Sequence, residues 1–272
     1  MNPKLIQRIR HITQILFFVF LVYLVVGTVC SFIVGEVQIV EPLGALQIIV
    51  ASRVSIPQTM LLTFLAALAI FIGVTILLGR AWCAWACPIG SLTEFTEHVM
   101  RKLKFKPLIE RKPKANTKDR KLWSKEVKFS TLAAVTLSSA VTKTPAWCTF
   151  CPIGTICRGT VAGGFVAGAE MAIVGAVLAA NTYEQRFFCK YICPVAGLLT
   201  LISRLNLLVK PRVKRDMCRR CMTCATICPE GLLVCEEKSF AECTKCFLCY
   251  SKCPNGAIAI ALYKNTLIKP RS

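Results

Sequence analysis

The chain has 272 residues and a formal net charge of +20, and 55% of its residues are hydrophobic. A mean hydropathy of +0.58 is typical of membrane proteins and argues against an ordinary soluble domain. The basic residues flank apolar segments and no nucleic-acid-binding motif accompanies them, so the charge does not predict a nucleic-acid partner.

Four apolar segments predict membrane-spanning helices. Residues 12–34 and 57–78 are uncharged, and each is longer than the roughly 20 residues that cross a bilayer. Residues 129–142 form a shorter span, and residues 161–180 form a span interrupted only by Glu170. The first run is long and lacks a small-x-small cleavage site, so a signal peptide is not expected.

The placement of the charge predicts how these spans are oriented. Lys and Arg are concentrated before residue 12, between residues 80 and 128, and after residue 181. By the positive-inside rule, these three regions face the cytoplasm. We therefore expect a multi-pass protein of the cytoplasmic membrane with both termini inside. Its basic residues would contact anionic lipid or an acidic redox partner.

A repeated motif follows the second and the fourth predicted span. Residues 80–88 and 186–194 both read basic-x-aromatic-Cys-x3-Cys-Pro. Cysteines four apart share one face if the segment is helical, so two such faces could present four thiols to each other. Two interpretations stay open: an inner-face iron–sulfur cluster, or thiols that pack between helices or act as redox pairs. The residues concerned are Cys83, Cys87, Cys189 and Cys193.

The predicted outer loop between the third and fourth spans adds three more cysteines. A further cysteine lies near the outer end of the first span, and together they could hold an outer-face cluster. The alternatives are an outer disulfide or unpaired buried thiols. These residues are Cys30, Cys148, Cys151 and Cys157. A cluster there would place redox centres on both faces of the membrane.

Two tandem runs of four cysteines end the chain. Each has the spacing Cys-x2-Cys-x2-Cys-x3-Cys-Pro of a two-cluster ferredoxin, where the last cysteine of each run binds the other cluster. Structural zinc and a disulfide framework fit this pattern poorly. We assign Cys218, Cys221, Cys224 and Cys253 to one [4Fe–4S] cluster, and Cys243, Cys246, Cys249 and Cys228 to the other. Cys235 is left over and is interpreted as a core residue of this domain.

The predicted fold is thus mainly α. Residues 1–210 form a four-transmembrane-helix bundle, and residues 211–272 form a cytoplasmic α+β ferredoxin-like domain with two [4Fe–4S] clusters. The basic residues Arg219, Arg220, Lys245 and Lys252 near the clusters favour their reduced, more negative state and an acidic partner.

The order of these motifs resembles the NapH family of quinol dehydrogenase subunits and the C-terminal part of NosR. Residues 41–47, between the first two spans, are also similar to an acidic-Pro-Leu stretch of NapH. The resemblance implies electron transfer from quinol, or from a membrane partner, through iron–sulfur centres to a further redox subunit. An electron-transfer subunit of an oxidoreductase complex, with quinone as a second cofactor, is therefore expected.

Other candidate residues are fewer. Glu170 lies within a predicted span, where a carboxylate either takes a proton from quinol or is a neutral hydrogen-bonded acid between helices. The chain has only two histidines, and they do not form an intramembrane pair, so haem is not expected. Two further functions stay open: a conduit from a cytoplasmic ferredoxin-type donor to an outer acceptor, and an assembly or maturation factor.

Overall fold

A helical region and a small antiparallel sheet make up the described chain. The computed structural model describes residues 3–26, 58–103, 117–142, 147, 151–152, 169–206, 208–235, 240–262 and 266–268. The long helices are α1 (Pro3–Val26), α2 (Gln58–Leu78), α4 (Pro88–Lys102), α5 (Thr117–Thr142), α6 (Ala169–Tyr183) and α7 (Pro194–Ser203). The one-turn helices are α3 (Trp82–Trp85), α8 (Thr223–Thr226) and α9 (Leu248–Ser251). A π-helical segment, Phe188–Ile192, precedes α7, and a 3-10 turn spans Arg215–Met217.

The predicted membrane bundle is wrong for the part of the chain described. No helix there is both long enough and apolar enough to cross a membrane. The first half of α1 is polar, with Lys4, Arg8 and Arg10, and α5 also begins with charged residues. The four-transmembrane-helix fold and the multi-pass membrane localisation are both corrected by this finding.

The two Cys-x3-Cys-Pro motifs each begin a helix. Pro88 and Pro194 are the first residues of α4 and α7, a position where the missing N–H of proline costs nothing. Helix α7 packs against α5 and α2, whereas α4 packs against α1 and α6. The motifs are thereby carried into the interior of the helical region.

An apolar cluster lies beside these helix starts. Trp147 stacks on Phe188 with ring centroids 6.3 Å apart. The buried members of this apolar cluster are Ile89, Leu132, Trp147, Cys151, Val177 and Phe188. Cys87, Cys189 and Cys193 pack against this cluster, so their surroundings are largely apolar.

The C-terminal region repeats one local structure in each cysteine run. In each run, the residues before and after the second cysteine have a positive φ, near 51–58°. The second of these two residues is the N-cap of a one-turn helix, α8 or α9. Gly231 and Gly256 follow the two Cys-Pro pairs with φ of 69° and 58°, where a glycine avoids left-handed strain. The tandem motif of the sequence is therefore a structural repeat.

A three-stranded antiparallel sheet accompanies this repeat. Its strands are β1 (Val209–Val213), β2 (Ile258–Leu262) and β3 (Thr266–Ile268), in the order β1-β2-β3. Val213 pairs with Ile258, and Ile260 pairs with Ile268. Ile6 of α1 joins the core under this sheet, and Gln7 Nε2 donates to the carbonyl of Cys246 at 3.0 Å. Helix α1 therefore packs against both the C-terminal region and the helical region.

Two carboxylates of the C-terminal region also reach into the helical region. Glu242 Oε1 lies 3.3 Å from Lys128 Nζ of α5, and both side chains are buried. Glu230 Oε2 lies 3.9 Å from Arg80 Nη1, and both of these side chains are also buried. Trp85 Nε1 donates to the carbonyl of Lys245 at 3.1 Å.

Glu230 is the centre of this interface. Burial alone would raise the pKa of its carboxyl, but the charges of four basic side chains lower it below its usual value. These are Arg80, Lys128, Arg186 and Lys190. All four belong to the helical region. Three of them also have a closer carboxylate partner: Lys128 with Glu242, Arg186 with Glu94, and Lys190 with Glu184.

Replacing this carboxylate should loosen the interface. We expect Glu230→Gln to lower the free energy of unfolding by about 3–5 kcal/mol, the usual cost of removing one partner of a buried ion pair. Anaerobic urea unfolding followed by circular dichroism measures this change. Asp216→Asn, which removes the same charge from an exposed position of the same region, should change the stability little. Equal effects of the two substitutions would contradict the role of Glu230.

Candidate iron–sulfur centres

The four cysteines of the Cys-x3-Cys-Pro motifs lie together. The charges of Cys83 and Cys189 both act on Cys87, and the charges of all three act on Cys193. We call Cys83, Cys87, Cys189 and Cys193 the helix-end group. Two segments separated by about a hundred residues therefore bring their thiols into one site.

Helix starts position two thiols of this group. The backbone N–H groups of Ile89 and Gly90 hydrogen-bond the sulfur of Cys87, and that of Ala196 hydrogen-bonds the sulfur of Cys193. Such donors, at the N-terminus of a helix, favour a thiolate over a thiol. The repeated Cys-Pro sequence thus builds the same N–H···S arrangement twice.

Burial opposes this effect and is larger. Desolvation raises the pKa of Cys87 and Cys193 far above the usual thiol value, and it raises that of Cys189 to about 12. The negative charges of neighbouring thiolates raise these pKa values further. The positive charges of Arg186 and Arg80 act in the opposite direction on Cys189 and lower its pKa. Four neighbouring, partly buried thiolates repel one another unless a cationic centre lies between them, and a metal centre deprotonates coordinating thiols. The donor set therefore fits an iron–sulfur cluster.

The second group combines three cysteines of the last run with one from the run before it. The charges of Cys246 and Cys243 act on Cys228, and all three act on Cys249. Burial is again the main cause, and it raises the pKa of Cys228 to about 12. The structure thus brings together the four residues that the ferredoxin spacing predicted.

The third group lies at the surface. Cys218, Cys221, Cys224 and Cys253 line one depression, with the exposed Arg219 and Arg220 on its rim. Cys221 is exposed, and a hydrogen bond from Thr223 lowers the pKa of its thiol. Burial raises the pKa of Cys224 to about 11. This predicted cluster position is the one that faces solvent.

The three groups follow one another through the molecule. Cys224 of the third group acts electrostatically on Cys249 of the second. The guanidinium of Arg186 is influenced by Cys246 of the second group and by Cys189 of the helix-end group. The second group is therefore linked electrostatically to the third group directly and to the helix-end group through Arg186.

None of the groups resembles a site for one metal ion. In the segments that the structure describes, no three His, Cys, Asp or Glu side chains converge to hold a single ion. In a [4Fe–4S] cluster each cysteine binds a different iron, so the four sulfurs surround the cluster without converging on one point.

The predicted outer-face site is described at one residue only. Cys30, Cys148 and Cys157 lie outside the described residues, as does the side chain of Glu170 in α6. Cys151 is buried in the apolar cluster against which three thiols of the helix-end group pack. Its position is thus beside the predicted inner-face site, although the sequence analysis placed the two sites on opposite faces.

Two other residues differ from expectation. Lys245 is 1% exposed, so it cannot contact a partner protein as predicted, whereas Arg219, Arg220 and Lys252 are exposed. Cys235 is only partly buried and lines the depression of the third group, where its charge raises the pKa of Cys224. Cys235 belongs to no cysteine motif, so the sequence contained no signal that it lies beside the third group.

Sequence reasoning missed the buried charges between the groups. Arg80, Arg186, Lys128, Glu230 and Glu242 are all buried, and no spacing rule pairs them. A sequence signal existed for two of them. Each Cys-x3-Cys-Pro repeat begins with an arginine three positions before its first cysteine, and these arginines are Arg80 and Arg186.

Comparisons with known proteins agree with an iron–sulfur function. A 4Fe-4S binding domain family matches residues 60–107, 129–160 and 166–215, and a second 4Fe-4S binding domain family matches residues 210–233. The first match includes all four cysteines of the helix-end group. No solved structure matches the chain.

Several curated proteins are similar to most of the chain. An uncharacterized protein of Methanocaldococcus jannaschii is 28% identical over 85% of this chain and 86% of its own length. The methylamine utilization ferredoxin-type protein MauN of Paracoccus denitrificans is 31% identical over 60% of this chain, and the match spans 53% of MauN. The ferredoxin-type protein NapH of Escherichia coli is 24% identical over 74% of this chain and 63% of its own length. The resemblance to NapH is confirmed.

A close backbone contact in the helix-end group gives a test of its geometry. A Cβ added to Gly90 would lie 2.2 Å from the carbonyl oxygen of Cys83, so the backbone beside two thiols would have to move. We expect Gly90→Ala to lower the iron content per chain by about four irons, the content of one [4Fe–4S] cluster. Iron and acid-labile sulfide analysis measures this loss.

Gly175→Ala is the matched control, because a Cβ at Gly175 meets no atom within 4 Å. It should leave the iron content unchanged and raise helix stability by up to about 1 kcal/mol. A wild-type iron content in Gly90→Ala would contradict the close packing of the helix-end group.

Proposed function

Because the chain is a NapH-like, ferredoxin-type iron–sulfur electron-transfer protein, we propose that it carries electrons along three [4Fe–4S] clusters to a redox partner. The helix-end group would hold the first cluster, the group of Cys228, Cys243, Cys246 and Cys249 the second, and the surface group the third. The observation that carries the proposal is the electrostatic link of the second group to each of the other two, with the exposed Cys221 in the group at one end.

A [4Fe–4S] cluster supplies one-electron oxidation and reduction at a potential set by charge, hydrogen bonds to sulfur and solvent exposure. The three proposed cluster positions differ in their surroundings, and these differences come from the protein. Apolar side chains pack against three thiols of the helix-end group, whereas Arg219 and Arg220 lie beside the exposed Cys221. Exchange with a soluble or docked partner is therefore favoured at the third group, and an acidic partner surface would complement these arginines.

The identity of the electron donor is a finer part of the proposal. Quinol is the donor that the similarity to NapH favours, with Glu170 as the acceptor of a quinol proton. A ferredoxin-type donor is the alternative. A maturation factor that reduces a partner during assembly would use the same clusters but would not turn over quinol.

Counting iron tests the three cluster positions. We expect about 12 irons per chain in anaerobically purified wild-type protein, on the basis of four per cluster. The double substitution Cys83→Ser and Cys189→Ser should remove about four of them and abolish one EPR signal of the reduced protein. Gly175→Ala, which alters an exposed helix position outside all three groups, should keep the wild-type content.

About eight irons in the wild type, unchanged by the double substitution, would confine the clusters to the C-terminal region. About 16 irons would indicate a fourth cluster, for which Cys30, Cys148, Cys151 and Cys157 are the predicted ligands. Substitution of Cys30 alone would then test its part in that set.

A second experiment tests the donor. Anaerobic addition of a water-soluble menaquinol analogue should reduce the clusters of the purified protein, seen as bleaching of their visible absorbance. Glu170→Gln should slow this reduction at least tenfold while reduction by dithionite stays at the wild-type rate, because only quinol oxidation releases protons. Reduction by dithionite but not by the quinol, in the wild type, would leave electron transfer in place and reject quinol as the donor.

A further inference from the structure

Arg80 is a buried cation that uses only part of its hydrogen-bonding capacity. It is 0% exposed, and its Nη1 donates to the backbone carbonyl of Glu242 at 3.2 Å. Its Nε and Nη2 atoms are buried and have no hydrogen-bond partner among the described residues. Glu230 is near, but the 3.9 Å from its Oε2 to Nη1 is too long for a hydrogen bond.

Such an arrangement is costly unless another acceptor is present. A buried charged donor without a partner loses its hydration and gains nothing in return. Because nearly all buried polar groups in native proteins are hydrogen-bonded, an exception indicates a missing water, ion or bound group. Arg80 therefore points to an acceptor beyond the amino-acid side chains.

The charged groups around Arg80 indicate where that acceptor would lie. Burial alone would lower its pKa, but the charges of Glu230, Cys83, Glu242 and Cys189 together raise it. Glu230 and Glu242 belong to the interface with the C-terminal region, whereas Cys83 and Cys189 belong to the helix-end group. The guanidinium thus lies between the interface and the thiols.

Arg186 provides an internal comparison. It occupies the same position in the second motif, is equally buried, and also acts on Cys189. Its Nη2, however, lies 3.4 Å from Glu94 Oε2, which supplies a carboxylate partner within hydrogen-bond distance. The two motifs have the same sequence pattern, but of these two arginines it is Arg80 that has buried guanidinium nitrogens without a partner among the described residues.

We propose that Arg80 donates N–H···S hydrogen bonds from Nε and Nη2 to the iron–sulfur centre of the helix-end group and raises its reduction potential. The inference rests on the proposed cluster at Cys83, Cys87, Cys189 and Cys193. Arg80 is a tuning residue and not a ligand. Glu230, on its other side, partly offsets the same positive charge.

Electrostatics gives the sign of the effect. Four thiolates outweigh the positive charge of the iron–sulfur core, and reduction adds one more negative charge to a site from which water is largely excluded. A buried cation and N–H donors stabilise the reduced form more than the oxidised form, which raises the potential. Removing Arg80 lowers the potential, and removing the carboxylate of Glu230 raises it.

The test is an anaerobic redox titration of the full-length protein, monitored by EPR. Arg80→Met should lower the midpoint potential of the signal that the double substitution of Cys83 and Cys189 removes. The expected shift is at least tenfold in the reduction equilibrium, which is about 59 mV for one electron. Arg80→Lys, which keeps the charge but not the planar set of donors, should give a smaller shift of the same sign.

Glu230→Gln separates tuning from loosening of the structure. It should shift the same midpoint upwards, opposite to Arg80→Met, whereas loss of the interface would change the potential in the same direction in both variants. Shifts of the same sign would overturn the inference. So would an unchanged midpoint in an Arg80→Met protein that keeps its full iron content.

A measurement on the unaltered site remains decisive if Arg80→Met fails to fold. Wild-type protein with 15N-labelled arginine side chains should show a 15N hyperfine coupling to the reduced helix-end centre in pulsed EPR. The coupling should persist in Arg186→Lys and disappear in Arg80→Lys. Its absence from the wild type would overturn the inference, whereas a wild type with about eight irons would instead overturn the proposed cluster itself.

Discussion

The buried carboxylate of Glu230 is the interaction on which the arrangement of the two regions depends. It is the nearest carboxylate to the buried Arg80, and its charge also acts together with those of Lys128, Arg186 and Lys190. Burial of Arg80 without a counter-charge would be strongly unfavourable. It also follows Cys228 by two residues, so the same contact that joins the regions fixes a proposed cluster ligand. The contact between the two regions therefore also helps to set the position of Cys228 relative to the helix-end group.

The helix-end group shows how the fold prepares a site for an anionic centre. Backbone N–H groups at the starts of α4 and α7 donate to two of its sulfurs, while apolar side chains pack against three of its thiols. Burial raises the pKa of Cys87, Cys189 and Cys193, so the group is unfavourable as free thiolates and favourable around a cationic iron core. Arg80 adds positive charge near Cys83 and Cys189, and Arg186 adds it near Cys189 and Cys246 of the second group.

Composition misled the prediction of the fold more than the motifs did. Mean hydropathy counts apolar residues but ignores how a helix distributes them. Helix α1 joins a charged half to an apolar half, and α5 does the same. The cysteine spacings carried more information, because the ferredoxin pattern requires particular loop lengths. Those loops have the repeated positive-φ residues and one-turn helices that bring Cys228 to the cysteines of the other run.

The sequence by itself determined the kind of chemistry, the two ferredoxin runs and the duplication of the Cys-x3-Cys-Pro motif, since all of these depend on residue type and local spacing. It could not determine what lies between the cysteine groups. Glu230 meets Arg80 across 150 positions of the chain, and Arg186 but not Arg80 has Glu94 within hydrogen-bond distance. Ion pairs of this kind have no local pattern, so only the tertiary structure decided which buried cation was compensated and which was left with unpaired donors.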